Sequence, residues 1–297
     1  MKILNLGSCN IDYVYSLDSI VTAGETVSSK GMEIFPGGKG LNQSVALARA
    51  GAEVWHAGCV GSDGAMLREV LSQSGVRTEL LKESEGKNGH AVIQVNSNGE
   101  NCIIIHEGSN GEVTPEYIDF VLEHFGEGDM LLLQNEVSRV DYAVDTAYAK
   151  GISVMLNPSP INEKIKAIDF NKLTYLVLNT TEIKAVSGCE SCEDGLKRLK
   201  DKYPRLKIML TLGGDGCIYC DGESVYLPAQ KVKAVDTTAA GDTFTGYFAA
   251  GIVSGLPLYE ILRRATVAAG ISVSRKGAAP SIPHSMEVDA VIKEERS

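Results

Sequence analysis

The stretch Asp236-Thr237-Thr238-Ala239-Ala240-Gly241-Asp242-Thr243-Phe244 gathers the residue types best suited to chemistry in this sequence. Small residues at 239, 240 and 241 let the backbone turn tightly and present its amide N–H groups. The apolar run Thr243 to Val253 that follows reads as a helix. A helix start adds unpaired N–H groups and about half a positive elementary charge at its tip. Ala239, Ala240 and Gly241 would then form a ready-made hole for the charge on a transferring phosphate. Asp242 lies at that tip, where it is expected to be ionised. A carboxylate beside an anion hole suits orienting a hydroxyl for attack on a phosphorus held by the hole. The same residues also read as a plain helix start, with Asp as cap and glycine as turn. A strand-like run, Lys231 to Val235, precedes them.

A second glycine-rich turn, Pro36-Gly37-Gly38-Lys39-Gly40-Leu41-Asn42, opens a helix expected over Asn42 to Ala50. It is not a Walker A loop, because Gly40 stands where Ser or Thr is needed. Lys39 and Asn42 offer donors and an acceptor to the hydroxyls of a polyol. The alternative is a glycine-rich helix start carrying a solvated lysine. Asn179-Thr180-Thr181-Glu182, after the strand-like Tyr175 to Leu178, has the spacing of a capping box. Thr211-Leu212-Gly213-Gly214-Asp215-Gly216 is a glycine-rich turn at a strand end, a pattern that is often only a turn.

The elements that must position these turns follow from periodicity. Strand-like and helix-like runs alternate from Val54 to Met155 and again from Leu173 to Leu212. That pattern argues for an α/β fold with a mostly parallel sheet flanked by helices. Ligands bind such sheets beyond the carboxyl ends of the strands. Asn10 to Phe35 breaks the alternation, with strand-like pieces at Tyr13 to Leu17 and Thr26 to Ser29. Gly89 to Glu107 reads as two strands turned at Asn98-Gly99. Its runs His90 to Val95 and Asn101 to His106 are too apolar for an exposed hairpin, which would be an aggregation hazard. They would be protected by covering a substrate and packing on a second copy; the alternative is a hairpin packed on its own domain.

Composition narrows the function classes. A net charge of −10 on 297 residues argues against nucleic acid and anionic membrane surfaces as partners. No apolar run approaches the ~20 residues of a membrane span, and Met1 to Gly7 reads as a first strand and not a leader. A single domain over 1–297 in the cytoplasm is expected. Cys189-x-x-Cys192 and Cys217-x-x-Cys220 have zinc-like spacing. The second pair falls on a strand, where residues three apart face opposite ways, so free thiols are expected.

Asp236 to Phe244 resembles the C-terminal signature of the ribokinase (PfkB-type) sugar kinase family, and Gly37-Gly38-Lys39-Gly40-Leu41-Asn42-Gln43 matches its N-terminal one. The resemblance spans essentially the whole chain. It implies ATP-dependent phosphorylation of D-ribose at the 5-hydroxyl, with another pentose such as deoxyribose, or a nucleoside, as alternative acceptor. A sugar sensor that kept the fold and lost catalysis is a reading from a different class; Asp242 and the glycine turn argue against it. By the same resemblance Asn10, Asp12, Gly38, Lys39, Asn42, Glu136 and Asp242 bind the sugar. Asn179, Thr211, Gly213, Gly216, Gly241 and Thr266 line the nucleotide site; some members carry His or Asn where Thr266 aligns. Glu182 organises Mg²⁺ through water, a sparse ligand set of the kind that ion accepts. The loop Ser274 to Ser281, through Lys276, Ala278 and Ser281, joins Val273, Asp236 and Thr238 around K⁺. Segments of about 11–35 and 89–107 would form a β-sheet lid and a homodimer surface.

Overall fold

The structure, a computed structural model, describes residues 1–295. In chain order its strands are β1 (Ile3–Leu6), β2 (Asn10–Ser16), β3 (Gly31–Gly37), β4 (Val54–Val60), β5 (Leu81–Glu83), β6 (Gly89–Val95), β7 (Asn101–His106), β8 (Met130–Gln134), β9 (Ser153–Asn157), β10 (Tyr175–Asn179), β11 (Lys207–Thr211), β12 (Cys217–Asp221) and β13 (Glu223–Leu227). Its helices are α1 (Lys39–Arg49), α2 (Ala65–Gln73), α3 (Pro115–Leu122), α4 (Val140–Ala149), α5 (Thr180–Ser187), α6 (Cys192–Lys202), α7 (Ala240–Val253), α8 (Leu258–Val273) and α9 (Ser285–Glu294).

The larger sheet runs β13-β12-β11-β10-β9-β8-β1-β4-β5. It is parallel from β11 to β5 and antiparallel at β12 and β13. This is the mostly parallel sheet that the alternation predicts. Its central strands are apolar on both faces because helices cover both. Met130 and Leu132 of β8 join a core with α1, α7 and α8, whereas Leu131 and Leu133 join one with α3 and α4. Cys217 and Cys220 likewise enter opposite cores, as strand alternation requires.

The smaller sheet has the order β3-β2-β6-β7. Asn10 and Asp12 sit at the start of β2 within this sheet. Register pairs Asp12 with Phe35 and Ala91, and Ala91 with Ile105. Ile103 and Ile105 therefore share the Asp12 face, while Ile104, Ile34 and Met32 lie on the other. Every residue of β7 is exposed.

Three expectations need correction. Thr26 to Ser29 is not a strand: it finds no sheet partner, and β2 pairs instead with Gly31–Gly37. Lys231 to Val235 is not a strand either. It lies beyond the sheet edge at β13 and crosses the end of α8, where Val235 N–H bonds Val273 O at 2.8 Å. The helices after both glycine turns begin three residues early, at Lys39 and Ala240, because Gly38 at φ 90 and Ala239 at φ 60 complete each turn sooner.

Candidate active site

Helices α1 and α7 approach closely because Gly246 has no side chain. A Cβ there would stand 2.4 Å from Ala46 Cβ. The crossing sets Asp242, in the first turn of α7, against Asn42 and Gln43 of α1. Asn42 Nδ2 donates to Asp242 Oδ2 at 3.0 Å, and Gln43 Nε2 donates to Oδ1 at 2.9 Å. Asp242 is buried. The reading of this stretch as an Asp-capped helix fails: the cap position is Ala239, and no side chain caps it. Ala239 is held in the left-handed region at φ 60, a strain of about 1–2 kcal/mol for a residue with a Cβ. Thr243 N–H makes an α-helical bond to Ala239 O at 2.8 Å. The amides of Gly241 and Asp242 precede it and belong to the unpaired helix start, where an anion can be met.

The turn before α1 is built on close approaches that only glycine permits. A Cβ on Gly40 would fall 2.3 Å from Ser8 N, and one on Gly37 would fall 2.0 Å from Asp12 Oδ2. Ser8 Oγ donates to Glu136 Oε2 at 2.5 Å, and Lys39 N–H donates to the same oxygen at 2.9 Å. Asn110 Nδ2 donates to Asn10 Oδ1 at 2.7 Å. Burial, then the Glu136 charge, push the Asp12 carboxyl up to about 7. Burial also raises Glu136, against the opposing pull of Lys39 and its hydrogen bonds. Lys39 itself is pulled down by burial, but the carboxylates of Asp242, Glu136 and Glu182 outweigh this and its pKa rises. One lysine thus answers three carboxylates.

Beside Asp242 opens a polar cleft of ≈ 230 Å³ walled by Lys39, Asn179, Glu182, Thr211, Gly241 and Asp242. Thr211, Thr237, Ala240 and Gly241 also wall a second, more apolar cleft of ≈ 450 Å³ that reaches Gly213, Gly216, Phe244 and Thr266. The two adjoin at the tip of α7. Asn10, Asp12, Gly38 and Glu136 line neither cleft; they lie on the far side of Lys39, toward the small sheet. Asn179 and Glu182 do form the capping box, with Asn179 N–H donating to Glu182 Oε2 at 2.9 Å.

Residues 1–285 match the pfkB family carbohydrate kinase profile. The chain belongs to the pfkB family of carbohydrate kinases. It is 36% identical to a ribokinase of Schizosaccharomyces pombe, covering 97% of each chain. A ribokinase of Cryptococcus neoformans solved with ADP superposes with a TM-score of 0.85 at 35% identity, over 98% of this chain and 99% of that one. An Arabidopsis thaliana ribokinase solved with ribose and ATP gives a TM-score of 0.85 at 27% identity, over 98% of each.

In this kinase the residues tied to metals by resemblance fall into two groups. Glu182 is nearly buried at the polar cleft, beside Asp242 and Lys39. The Glu182 carboxylate fits a divalent ion that keeps most of its waters, whereas Asn179 Oδ1 already accepts from the amides of Thr181 and Glu182 at 2.9 and 2.8 Å. The monovalent set is more crowded. Asp236 Oδ1 accepts from Thr238 N and Oγ1 at 2.9 and 2.6 Å, and Oδ2 accepts from Gly277 N at 2.9 Å. Burial raises Asp236, but these hydrogen bonds and the Lys276 charge win, and its pKa falls. Val273 O already accepts from the amides of Val235 and Asp236. Ala278 O accepts from Ser281 N and Oγ at 3.0 and 2.8 Å. Lys276 Nζ turns away to Glu33 at 3.2 Å. The oxygens suit a hard cation, yet two of the carbonyls would have to share their lone pairs with it.

Ser8, Gln43 and Asn110 escape sequence reasoning. Gln43 closes the GGKGLNQ motif and so carried a signal. Ser8 and Asn110 carried none, since their roles depend on contacts 128 and 100 residues away in the chain.

Proposed function

We propose that this kinase transfers the γ-phosphoryl group of ATP to the 5-hydroxyl of D-ribose, giving ribose 5-phosphate and ADP. The observation that carries the reading is the placement of Asp242. It is buried, fixed by two amides, and lines the polar cleft with Lys39, next to Gly241, which walls both clefts. The apolar cleft around Thr266 and Gly216 suits a nucleoside, with its phosphates leading to the tip of α7. The cluster Asn10, Asp12, Lys39, Asn42 and Glu136 mixes donors and acceptors as a polyol requires.

Asp242 orients the hydroxyl and takes its proton as attack proceeds; a carboxylate is too weak a base to ionise an alcohol beforehand. The amides of Gly241 and Asp242 meet the charge that develops on the transferring group. Mg²⁺, when bound near Glu182 with ATP, supplies further neutralisation of phosphate charge. Lys39 adds a fixed positive charge between the sugar and phosphate sides. Closure of the small sheet over the sugar would exclude water as a competing acceptor, and its exposed apolar residues support a homodimer formed through it. All seven cysteines are unpaired, which supports a reducing, cytoplasmic setting.

An ADP-release assay over ribose, 2-deoxyribose, other pentoses and nucleosides tests the acceptor. Ribose should give the highest kcat/KM; a nucleoside outranking every free sugar would overturn the assignment. The same assay in cation-free Tris, with KCl or NaCl added at matched ionic strength, tests the Asp236 loop. Activation by K⁺ over Na⁺ is expected, and equal rates with and without K⁺ would mean that the loop holds no cation.

A further inference from the structure

Behind Asp242 the Gln43 contact continues into a buried chain of side chains that none of the roles above uses. Gln43, Gln134, Asn5, Ser44 and His56 are all fully buried. Gln43 donates to Asp242 Oδ1 at 2.9 Å and accepts from Gln134 Nε2 at 2.7 Å. Gln134 Nε2 also donates to Asn5 Oδ1 at 3.0 Å. Asn5 Nδ2 in turn donates to Gly40 O at 2.7 Å and Ser44 Oγ at 2.8 Å.

The polarity of this chain is fixed from both ends. The Gly40 carbonyl only accepts, so Asn5 must present its amide nitrogen to it and its oxygen to Gln134. A carboxylate also only accepts, so Gln43 must present its nitrogen to Asp242 and its oxygen to Gln134. Both demands converge on Gln134 Nε2, which spends one N–H on each. Gln134 Oε1 is left buried and accepts from no donor among the described residues.

We propose that Gln43 is a positioning residue for Asp242, and that Gln134 is the node that fixes the direction of the Gln43 amide. This rests on the reading of Asp242 as the group that orients the acceptor hydroxyl. Each carboxylate oxygen accepts one amide, Oδ1 from Gln43 and Oδ2 from Asn42, so the two amides together fix the plane of the carboxylate and the lone pairs left for the hydroxyl. Oδ2 lies beside Asn42, whose own Oδ1 is buried and accepts from no donor among the described residues. The chain also ties the orientation of Asp242 to Gly40, inside the turn that carries Lys39. The phosphoryl side and the sugar side are thereby held in one register across α1, α7, β1 and β8.

The test measures kcat at saturating ribose and ATP, ribose affinity by calorimetry, and the pH profile of kcat, in Gln43→Met, Gln134→Met, the double variant, Gln43→Glu and Asp242→Asn. A misaimed base should lower kcat by about 100-fold in each Met variant, with ribose affinity within about threefold. The double variant should be no worse than either single one, because the two act as a unit. Gln43→Glu is the discriminating arm. Protonated, its carboxyl can donate to Asp242 and accept from Gln134 as the amide does; ionised, it repels Asp242. Its kcat should recover as pH falls, unlike the parent enzyme. A Gln43→Met variant within about threefold of the parent kcat, or a Gln43→Glu profile parallel to the parent, overturns the positioning role. If Gln43→Met does not fold, the Gln43→Glu profile decides alone. An active Asp242→Asn would instead overturn the reading of Asp242 itself.

Discussion

The α1–α7 crossing and the small sheet are built on opposite terms. At the crossing, polar groups sit in full burial and nearly all have partners. Gly246 lets two helices touch, and Asp242 is held by Asn42 and Gln43. In the small sheet, β7 is exposed throughout, and Ile103, Ile104 and Ile105 are each at least half exposed at 50, 60 and 55%. The first region cannot shift without losing hydrogen bonds that burial makes costly to lose. The second can move or dock at little cost to the fold. On the proposed reading, proton transfer at Asp242 needs a geometry good to fractions of an ångström, whereas sugar admission under the small sheet needs a surface that opens. The division of labour follows from packing density.

The largest effect should come from breaking the tight region. Gly246→Leu forces a side chain into Ala46, so it should destabilise by about 3 kcal/mol, at the upper end of overpacking. It should also cost more than about tenfold in kcat in whatever fraction folds. Thermal unfolding alongside ADP release checks both, and an undisturbed melting point would mean that the helices tolerate separation.

The next effect concerns Asp12, at the seam between the two regions. Its carboxyl is raised to about 7 by burial and the Glu136 charge. A carboxyl raised on folding favours stability below its unfolded pKa, and that contribution is lost as pH rises through about 7. Sugar binding should run the other way. If a ribose hydroxyl donates to ionised Asp12, affinity strengthens by up to about tenfold per unit as pH rises toward 7, then levels off. Calorimetry across pH 5.5–8.5, in buffers of different ionisation enthalpy, should show proton release. Asp12→Asn should flatten the dependence; an unchanged slope in that variant would place the titration elsewhere.

The smallest effect on stability should come from the small sheet. Ile103→Asp and Ile104→Asp lie on opposite faces and are solvent-exposed in the single chain, so each should alter the stability of the isolated protomer by less than about 0.5 kcal/mol. One of them should split a homodimer by burying an unpaired charge in its interface. Light scattering identifies which face is covered. A parent protein already monomeric at micromolar concentration would contradict assembly through this sheet.

How far the sequence reached follows the same division. The large sheet was legible because long apolar runs such as Met130 to Leu133 and Leu176 to Leu178 have one sensible fate. The first glycine turn was legible because Gly37 and Gly38 mark backbone that must bend or be approached; at the second, the left-handed residue is Ala239 and Gly241 has open space around it. Thr26 to Ser29 misled because β-propensity without a partner does not make a strand. Lys231 to Val235 misled for the same reason, at the other end of the fold. The pairing of Asp242 with Gln43 was not legible, since it depends on how closely α1 meets α7, and only the missing side chain of Gly246 hinted at it.

The central claim is that Asp242 acts on the acceptor hydroxyl and does not merely hold the site together. Steady-state ADP release by Asp242→Asn, paired with ribose titration, tests it most directly. The amide keeps the size and can still hydrogen-bond, but it cannot take the proton. The account predicts a kcat lower by on the order of 10²–10⁴-fold, with ribose affinity within about tenfold, or about 1.4 kcal/mol. A folded variant keeping more than about a tenth of the parent kcat would contradict it.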